Sequence, residues 1–184
     1  MAFYSVNLES QEAALTLLAK ATKRATLSPI IRETAAIITN GCDARDDLCE
    51  LNAVFLAVKE GHPKVRGMEK GVRYMSDPIA ADYFIGAAEL LRRCMRGACA
   101  EDCDSQSGLI AALAGALGFR VGLRAYKRSG EKQYSHVYAV ALLPKLKTPG
   151  VEDKVVGMDS TVPSSSLGWE PPNGKVLTAW IQKV

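Results

Sequence analysis

The sequence offers five cysteines and two histidines for nucleophilic chemistry. A cysteine that attacks a carbonyl at neutral pH needs a base within hydrogen-bonding reach, and the base needs a partner that orients it. His62 lies in the polar stretch EGHPK beside a proline, a pattern typical of an exposed loop. His136 lies in YSHVYAVALL, whose period-two alternation predicts a strand. His136 is therefore the candidate acid–base group.

Asp159 is the candidate partner of His136. The predicted strands on either side of the 144–153 loop can pair antiparallel, and a register that sets Leu143 opposite Glu152 also sets His136 opposite Asp159. Directly opposed residues have Cβ atoms about 4.5–5.5 Å apart, so the carboxylate can accept the imidazole N–H. This register is an assumption, and a slip of one residue would separate the two side chains onto opposite faces.

Cys103 is the candidate nucleophile because it precedes an uncharged run over residues 105–119, which predicts a helix buried on nearly all sides. Free N–H groups and the positive dipole end at a helix start stabilise a thiolate and can hold an oxyanion. Asp102 and Asp104 act in the opposite direction, since their charges favour the protonated thiol.

The remaining cysteines leave other readings open. Cys94, Cys99 and Cys103 are spaced by five and four residues rather than by the two-residue gaps of zinc knuckles, and no histidine is near them. We therefore expect no metal and no cofactor, while a redox pair of Cys99 with Cys103 stays open. Cys42 and Cys49 are expected to be ordinary core or surface thiols. The odd number and the spacing of the cysteines favour free thiols in a reducing cytoplasm.

Helices are predicted to fill the first half of the chain and strands the second. The predicted helices cover residues 28–41, 46–61 and about 81–96, with the buried helix ending at Gly118 and with 71–78 (GVRYMSDP) extended. The predicted strands cover 120–127, 134–143 and 154–159, and residues 176–184 fit either a strand or helical turns. This order predicts an α+β fold in one domain over 1–184, with a helical part over 1–70 and a catalytic core over 71–184.

Composition restricts the function classes. Of the 184 residues 48% are hydrophobic, and the formal net charge of +3 is too balanced to indicate binding to nucleic acid or to an anionic membrane. The N-terminal MAFYSVNLESQ does not have the pattern of a secretory signal, and no uncharged run is long enough to span a bilayer. We expect a cytoplasmic protein with neither a nucleic-acid nor a membrane partner.

Four stretches resemble motifs of the transglutaminase-like (papain-like) cysteine enzymes, particularly a group in tailed phages and prophages. EDCDSQSGLIAALAGALGFRVGLRAY resembles the nucleophile helix, YSHVYAVALL the histidine strand, GMDSTVP the aspartate strand, and GVRYMSDP a segment upstream of the nucleophile. The resemblance covers residues 28–172, with the nucleophile, histidine and aspartate motifs in the family's order. Ser105 stands where a second aspartate is common after the cysteine, and Ser160 replaces the usual proline.

The resemblance implies a papain/transglutaminase-like fold with a catalytic triad of Cys103, His136 and Asp159. It implies a thiol hydrolase, meaning a peptidase, amidase or deamidase, that acts on a protein or peptide through a thioester. A transglutaminase-type acyltransferase that forms isopeptide bonds and a non-catalytic structural or assembly protein of a phage remain alternatives. The partners expected are the substrate and phage structural proteins, in the host cytoplasm or on the virion. Trp169 resembles an aromatic that walls such a cleft, with a packed surface tryptophan as the alternative reading.

Overall fold

The structure is a computed structural model that describes the backbone of residues 3–5, 11–76 and 83–181. Its helices are α1 Gln11–Ala25, α2 Pro29–Thr39, α3 Asp47–Lys59, α4 Ala87–Met95 and α5 Cys103–Ala116. Its strands are β1 Phe3–Ser5, β2 Arg73–Tyr74, β3 Tyr83–Ile85, β4 Ala100–Glu101, β5 Val121–Arg128, β6 His136–Leu143, β7 Lys154–Met158 and β8 Gly174–Trp180. The predicted α+β class is confirmed.

A four-stranded antiparallel sheet in the order β7-β6-β5-β8 forms one layer of the described structure. Two short pairs lie outside it: β1 with β3, which is antiparallel, and β2 with β4, which is parallel. The ambiguous segment after residue 174 is a strand that pairs with β5, while residues 182–184 lie outside the described part of the chain.

Helix α5 lies at the centre of the core, as its uncharged sequence predicts. Residues 105–114 are all buried, and the helix contacts α1, α2, α3 and α4 as well as β5 and β6. The sheet face toward α5 carries small and aliphatic side chains such as Leu123, Ala139 and Ala141. Small side chains on both surfaces allow the helix and the sheet to approach closely.

The opposite face of the sheet carries a second, smaller apolar cluster. Tyr126, Tyr138 and Val140 are buried there, with Val155 and Trp180 packed against them. Neighbours along β6 therefore alternate between the two faces, which confirms the predicted alternation for Tyr138 and Val140.

The predicted helix over 81–96 is wrong at its start. Tyr83–Ile85 is a strand paired with β1, and α4 begins only at Ala87, after Gly86 in an extended conformation. Aromatic and β-branched residues favour a strand where a partner strand is present, and that partner was not predicted. Helices α2 and α3 begin at Pro29 and Asp47 as expected, α1 was not predicted, and Asp77 with Pro78 lie outside the described residues.

The predicted register between β6 and β7 is also wrong. Leu143 pairs with Lys154 and Ala139 with Met158, a shift of two residues from the assumed ladder. Because a side chain returns to the same face every second residue, this shift keeps every residue on its predicted face.

Four of the five cysteines are not free thiols, contrary to expectation. Disulfides join Cys42 to Cys49 and Cys94 to Cys99, and Cys103 alone is free. The first disulfide closes the connection from α2 to α3, and the second joins the last turn of α4 to the chain just before β4. The redox pairing of Cys99 with Cys103 is therefore wrong. Spacing alone could not show this, because a disulfide depends on Cβ positions that only the fold sets.

The described residues contain neither a helix that could span a membrane nor a cluster of metal-ligating side chains. No helix among them is long and apolar enough to cross a membrane. No group of three or more histidine, cysteine, aspartate or glutamate side chains in the same residues could hold a metal ion.

Candidate active site

His136 and Asp159 form a hydrogen-bonded pair at one end of the sheet. The Nε2 atom of His136, the first residue of β6, lies 2.6 Å from Oδ2 of Asp159, which directly follows β7. The Asp159 side chain is 1% exposed and that of His136 is 21% exposed. Continued by one pair, the observed register would set Tyr138 opposite Asp159, so His136 is its diagonal neighbour, within reach of a long side chain.

The Asp159 carboxylate is held on both oxygens. Its Oδ1 accepts the backbone N–H of Thr161 at 3.1 Å and the Thr161 hydroxyl at 2.8 Å. Burial alone would raise the pKa of Asp159, but the hydrogen bond and charge of His136 and the two bonds from Thr161 outweigh burial and lower it. Asp159 is therefore an anion at neutral pH and can only accept. Nε2 of His136 must carry the proton, which leaves the lone pair on Nδ1.

Cys103 is the first residue of α5 and lies against the start of β6. Its thiol lies near the backbone of Val137, the residue after His136, and that backbone acts to lower the pKa of the thiol. The Ser107 hydroxyl lies 2.6 Å from the Cys103 carbonyl oxygen and 3.0 Å from that of Val137. The pairing of β6 with β7 ends at Ala139, so β7 does not cover the backbone groups of Val137 on that edge of β6, and α5 can bind them.

The surroundings of Cys103 favour the neutral thiol. Burial raises the pKa of Cys103 to about 12, and the charges of Asp102, Asp104 and Asp159 act in the same direction. The backbone of Val137 opposes them without prevailing. From the sequence, the helix start was expected to stabilise the thiolate, and Asp102 and Asp104 the neutral thiol. In the structure, burial and the nearby carboxylates outweigh the helix start. The resting group is a thiol that must transfer its proton as it reacts.

Gln106 connects the start of α5 to two other parts of the site. Its wholly buried side chain donates from Nε2 to the Glu101 carbonyl at 2.8 Å, and its Oε1 accepts the Ser160 hydroxyl at 2.9 Å. The two departures from the family pattern therefore have structural partners. Ser160 ties the segment after Asp159 to α5, and Ser105 accepts the backbone N–H of Ile85 at 2.9 Å.

Lys59, at the end of α3, fixes the segment that follows Asp159. Its Nζ donates to the Val162 carbonyl at 3.1 Å and to the Ser165 hydroxyl at 2.9 Å, and it also contacts the Ser165 carbonyl. Ser165 Oγ in turn contacts the carbonyl oxygen of Asp159. Sequence reasoning did not identify Lys59, Gln106, Ser107, Thr161 or Ser165. The hydroxyl-rich STVPSSS after Asp159 was the one local signal of such a network.

A polar network lies behind the histidine on the outer face of the sheet. The Tyr138 ring stacks on the His136 ring, with centroids 6.1 Å apart and an angle of 23° between planes. The Tyr138 hydroxyl donates to Glu170 Oε2 at 3.1 Å, and Arg124 Nη1 lies 2.8 Å from the same oxygen. Trp169 is half-buried, and its carbonyl oxygen would lie only 2.4 Å from a Cβ at position 157, which requires glycine there.

His62 is not part of this pair. It lies in the connection after α3, where its Nδ1 accepts the backbone N–H of Lys64 at 3.3 Å. It is half-buried rather than exposed, but its contact is that of a local turn, as the sequence predicts.

Comparison with known proteins adds one structural likeness. No protein-family model matches this chain, and no curated protein matches it. A crystal structure named "putative protease", from Parabacteroides distasonis, superposes with a TM-score of 0.50 at 16% identity. The match covers 84% of this chain and 30% of that one, so the chain spans less than a third of its neighbour. Similarity at this level concerns the fold alone.

Proposed function

We propose that this chain is a cysteine-dependent hydrolase of the transglutaminase-like superfamily, a peptidase, amidase or deamidase with a catalytic triad. One observation carries the proposal: the thiol of Cys103 lies near the backbone of Val137, which follows His136, and His136 is hydrogen-bonded to an ionised Asp159. A nucleophile, a base and an orienting carboxylate in this order are the parts that acyl transfer requires. The name of the Parabacteroides protein agrees with such an activity.

The proposed reaction begins with proton transfer. Nδ1 of His136 takes the thiol proton while Cys103 Sγ forms a bond to the substrate carbonyl carbon, and the carbonyl π electrons move to its oxygen. N–H groups in the first turn of α5 stabilise that oxyanion. The tetrahedral intermediate then collapses, the bond to nitrogen breaks, and the leaving amine takes the proton from His136.

The second half of the reaction releases the thioester. His136 accepts a proton from water as the water oxygen attacks the acyl carbon, and the proton then passes to the departing sulfur of Cys103. Asp159 stabilises the imidazolium in both halves without changing its own protonation. Since the resting thiol is neutral, attack and proton transfer are coupled rather than preceded by a stored ion pair.

Water is the proposed acceptor rather than an amine. An amine acceptor needs a base to deprotonate it, and among the flanking tyrosines Tyr138 is unsuited, since burial and the charge of Glu170 raise its pKa. His136 must then activate any acceptor, and water is far more abundant than a protein amine. An acyltransferase and a non-catalytic phage assembly protein are the alternative outcomes of the test below.

The proposed setting follows from the phage-group resemblance and the disulfides. Protein or peptide substrates and phage structural proteins are the proposed partners, and 1–184 the proposed single catalytic domain. Of the two expected settings, host cytoplasm and virion, the disulfides Cys42–Cys49 and Cys94–Cys99 favour the virion, because such bonds persist where conditions are oxidising.

The test is product analysis on a proteome-derived peptide library by mass spectrometry, with a labelled primary amine present. The wild-type chain is compared with Cys103→Ala and, as a control, with Ser129→Ala, an exposed residue in the turn after β5. Cleaved or deamidated peptides that depend on Cys103 are the expected result. Predominant amine incorporation would show an acyltransferase rather than a hydrolase. Identical products from Cys103→Ala would show that Cys103 is not the nucleophile.

A further inference from the structure

A groove lies next to the segment that follows Asp159, with Ser160, Thr161 and Pro163 among its lining residues. Its volume is about 840 Å³, and its walls come from the segment after α3, from the β2–β4 pair and from the residues that follow β7. We name it the basic groove, after the cations among its lining residues: Lys59, Lys70, Arg73 and Arg93.

Two of these four cations are already engaged. Lys59 donates to Ser165, and Arg93 forms an ion pair with Glu101 at 2.9 Å. Lys70 and Arg73 are exposed and have no ion pair within the part of the chain that the structure describes. They therefore leave positive charge in the groove that no described carboxylate neutralises.

A single carboxylate, that of Glu69, lines the described walls of the groove. It accepts the backbone N–H of Gly67 at 3.0 Å, and backbone hydrogen bonds there lower the pKa of Glu69. Glu69 is an anion at neutral pH and Glu101 neutralises Arg93, so two negative charges stand against the four positive ones. The field inside the groove is therefore positive.

Large apolar side chains accompany the charges. Tyr74 and Met75, adjacent to Arg73 along the chain, line the groove with 54% and 52% of their surfaces exposed. Exposed aromatic and methionine side chains beside a concave surface are typical of a peptide-binding site, since they bury apolar area when a chain docks.

Two residues that line the groove are hydrogen-bonded to residues of the candidate site. Thr161 lines it and donates its hydroxyl and its N–H to Asp159, and Ser160 lines it and bonds to Gln106 of α5. One side chain, that of Thr161, connects the wall of the groove to the carboxylate that holds His136. A chain bound in the groove would therefore be separated from Asp159 by one side chain.

We propose that the basic groove binds an acidic, extended segment of the protein substrate, with carboxylates at Lys70 and Arg73 and apolar side chains on Tyr74 and Met75. That the bound segment belongs to a substrate rests on the proposed function, whereas the binding itself does not. A nucleic acid is disfavoured as the occupant, because two unpaired cations beside an apolar surface are too few to follow a phosphate backbone.

The test is a binding measurement on Cys103→Ala, which cannot turn over a substrate. A fluorescent peptide with alternating Glu and Leu is compared with its Gln-for-Glu counterpart and with a single-stranded oligonucleotide of similar length. We expect the Glu peptide to bind tightest. The double variant Lys70→Glu/Arg73→Glu should weaken its binding about tenfold or more, and an increase in salt from about 0.05 to 0.5 M should weaken it too.

The matched control is Lys20→Glu/Arg32→Glu, which makes the same charge change on exposed faces of α1 and α2 outside the groove. It should bind like the parent. Three results would each refute the proposed binding in the groove: equal binding of the two peptides, an equal loss of peptide affinity in both double variants, or preference for the oligonucleotide. Tight binding of the Glu peptide by Cys103→Ala, with no turnover by the wild-type chain, would support the proposed binding in the groove and refute the proposed hydrolase activity. Turnover without that binding would support the hydrolase activity and refute the proposed binding in the groove.

Discussion

Replacement of Asp159 by asparagine should force His136 into the wrong tautomer. The Oδ1 atom of Asp159 accepts the Thr161 N–H, a group that can only donate. An asparagine must therefore keep its carbonyl oxygen at Thr161 and turn its NH2 group toward His136. Nε2 would then accept a hydrogen bond and Nδ1 would carry the proton, so Nδ1 could not take the proton of Cys103.

The size of the effect follows from these contacts. The reactive tautomer requires the flipped amide, which leaves the half-buried Thr161 N–H without an acceptor at a cost of about 1–3 kcal/mol. The variant also loses the charge-assisted bond that stabilises the imidazolium, a further loss of about 1.5–3 kcal/mol. Together they predict a fall in kcat/KM of about 10²- to 10⁴-fold.

Two measurements check this prediction. Kinetics on a peptide identified from the library give kcat/KM, and ¹⁵N NMR of the two imidazoles reports the tautomer of His136 with His62 as an internal reference. The control is Thr161→Ala, which removes one hydroxyl but keeps the N–H, and should lose less than about tenfold. An Asp159→Asn protein with wild-type kcat/KM, or with the proton still on Nε2, would refute the reasoning.

Three further outcomes are expected. Under denaturing conditions without reductant, alkylation and mass spectrometry should find one free thiol per chain, at Cys103, and five after reduction. More than one before reduction would contradict the disulfides. Gly157→Ala should lower the free energy of unfolding in urea by about 1–3 kcal/mol, because its Cβ would lie 2.4 Å from the Trp169 carbonyl oxygen, whereas Gly41→Ala, with nothing within 4 Å, should not. The depressed pKa of Asp159 contributes stability that is present above its unfolded pKa and lost as pH falls through the folded one. Between about pH 5 and pH 2, the urea midpoint of the wild-type chain should therefore fall more than that of Asp159→Asn, and parallel curves would count against the pair.

Much of the fold could be predicted because its signals are local. Pro29 after a serine marks the start of a helix. The uncharged run after Cys103 is typical of a helix that is buried on nearly all sides. The alternation along β6 placed His136 on the face that Tyr138 shares. It also made the pairing of His136 with Asp159 robust, since an error of two residues in register leaves each side chain on its face.

The rest depends on contacts between distant parts of the chain. Strand β3 needs β1 as its partner, and no local pattern indicates a three-residue strand. The Cys94–Cys99 disulfide depends on where the last turn of α4 directs its side chains. Lys59 binds residues more than a hundred positions away, and its sequence neighbours give no sign of that contact.

The most direct test of the proposed mechanism is to trap the acyl group on Cys103. A substrate found in the library is mixed with the wild-type chain, quenched in acid during turnover, and digested for mass spectrometry. We predict a peptide containing Cys103 that carries the acyl fragment as a thioester, which hydroxylamine releases and which is absent from His136→Ala. Turnover at full rate with no such adduct, or with Cys103 replaced by alanine, would contradict the mechanism.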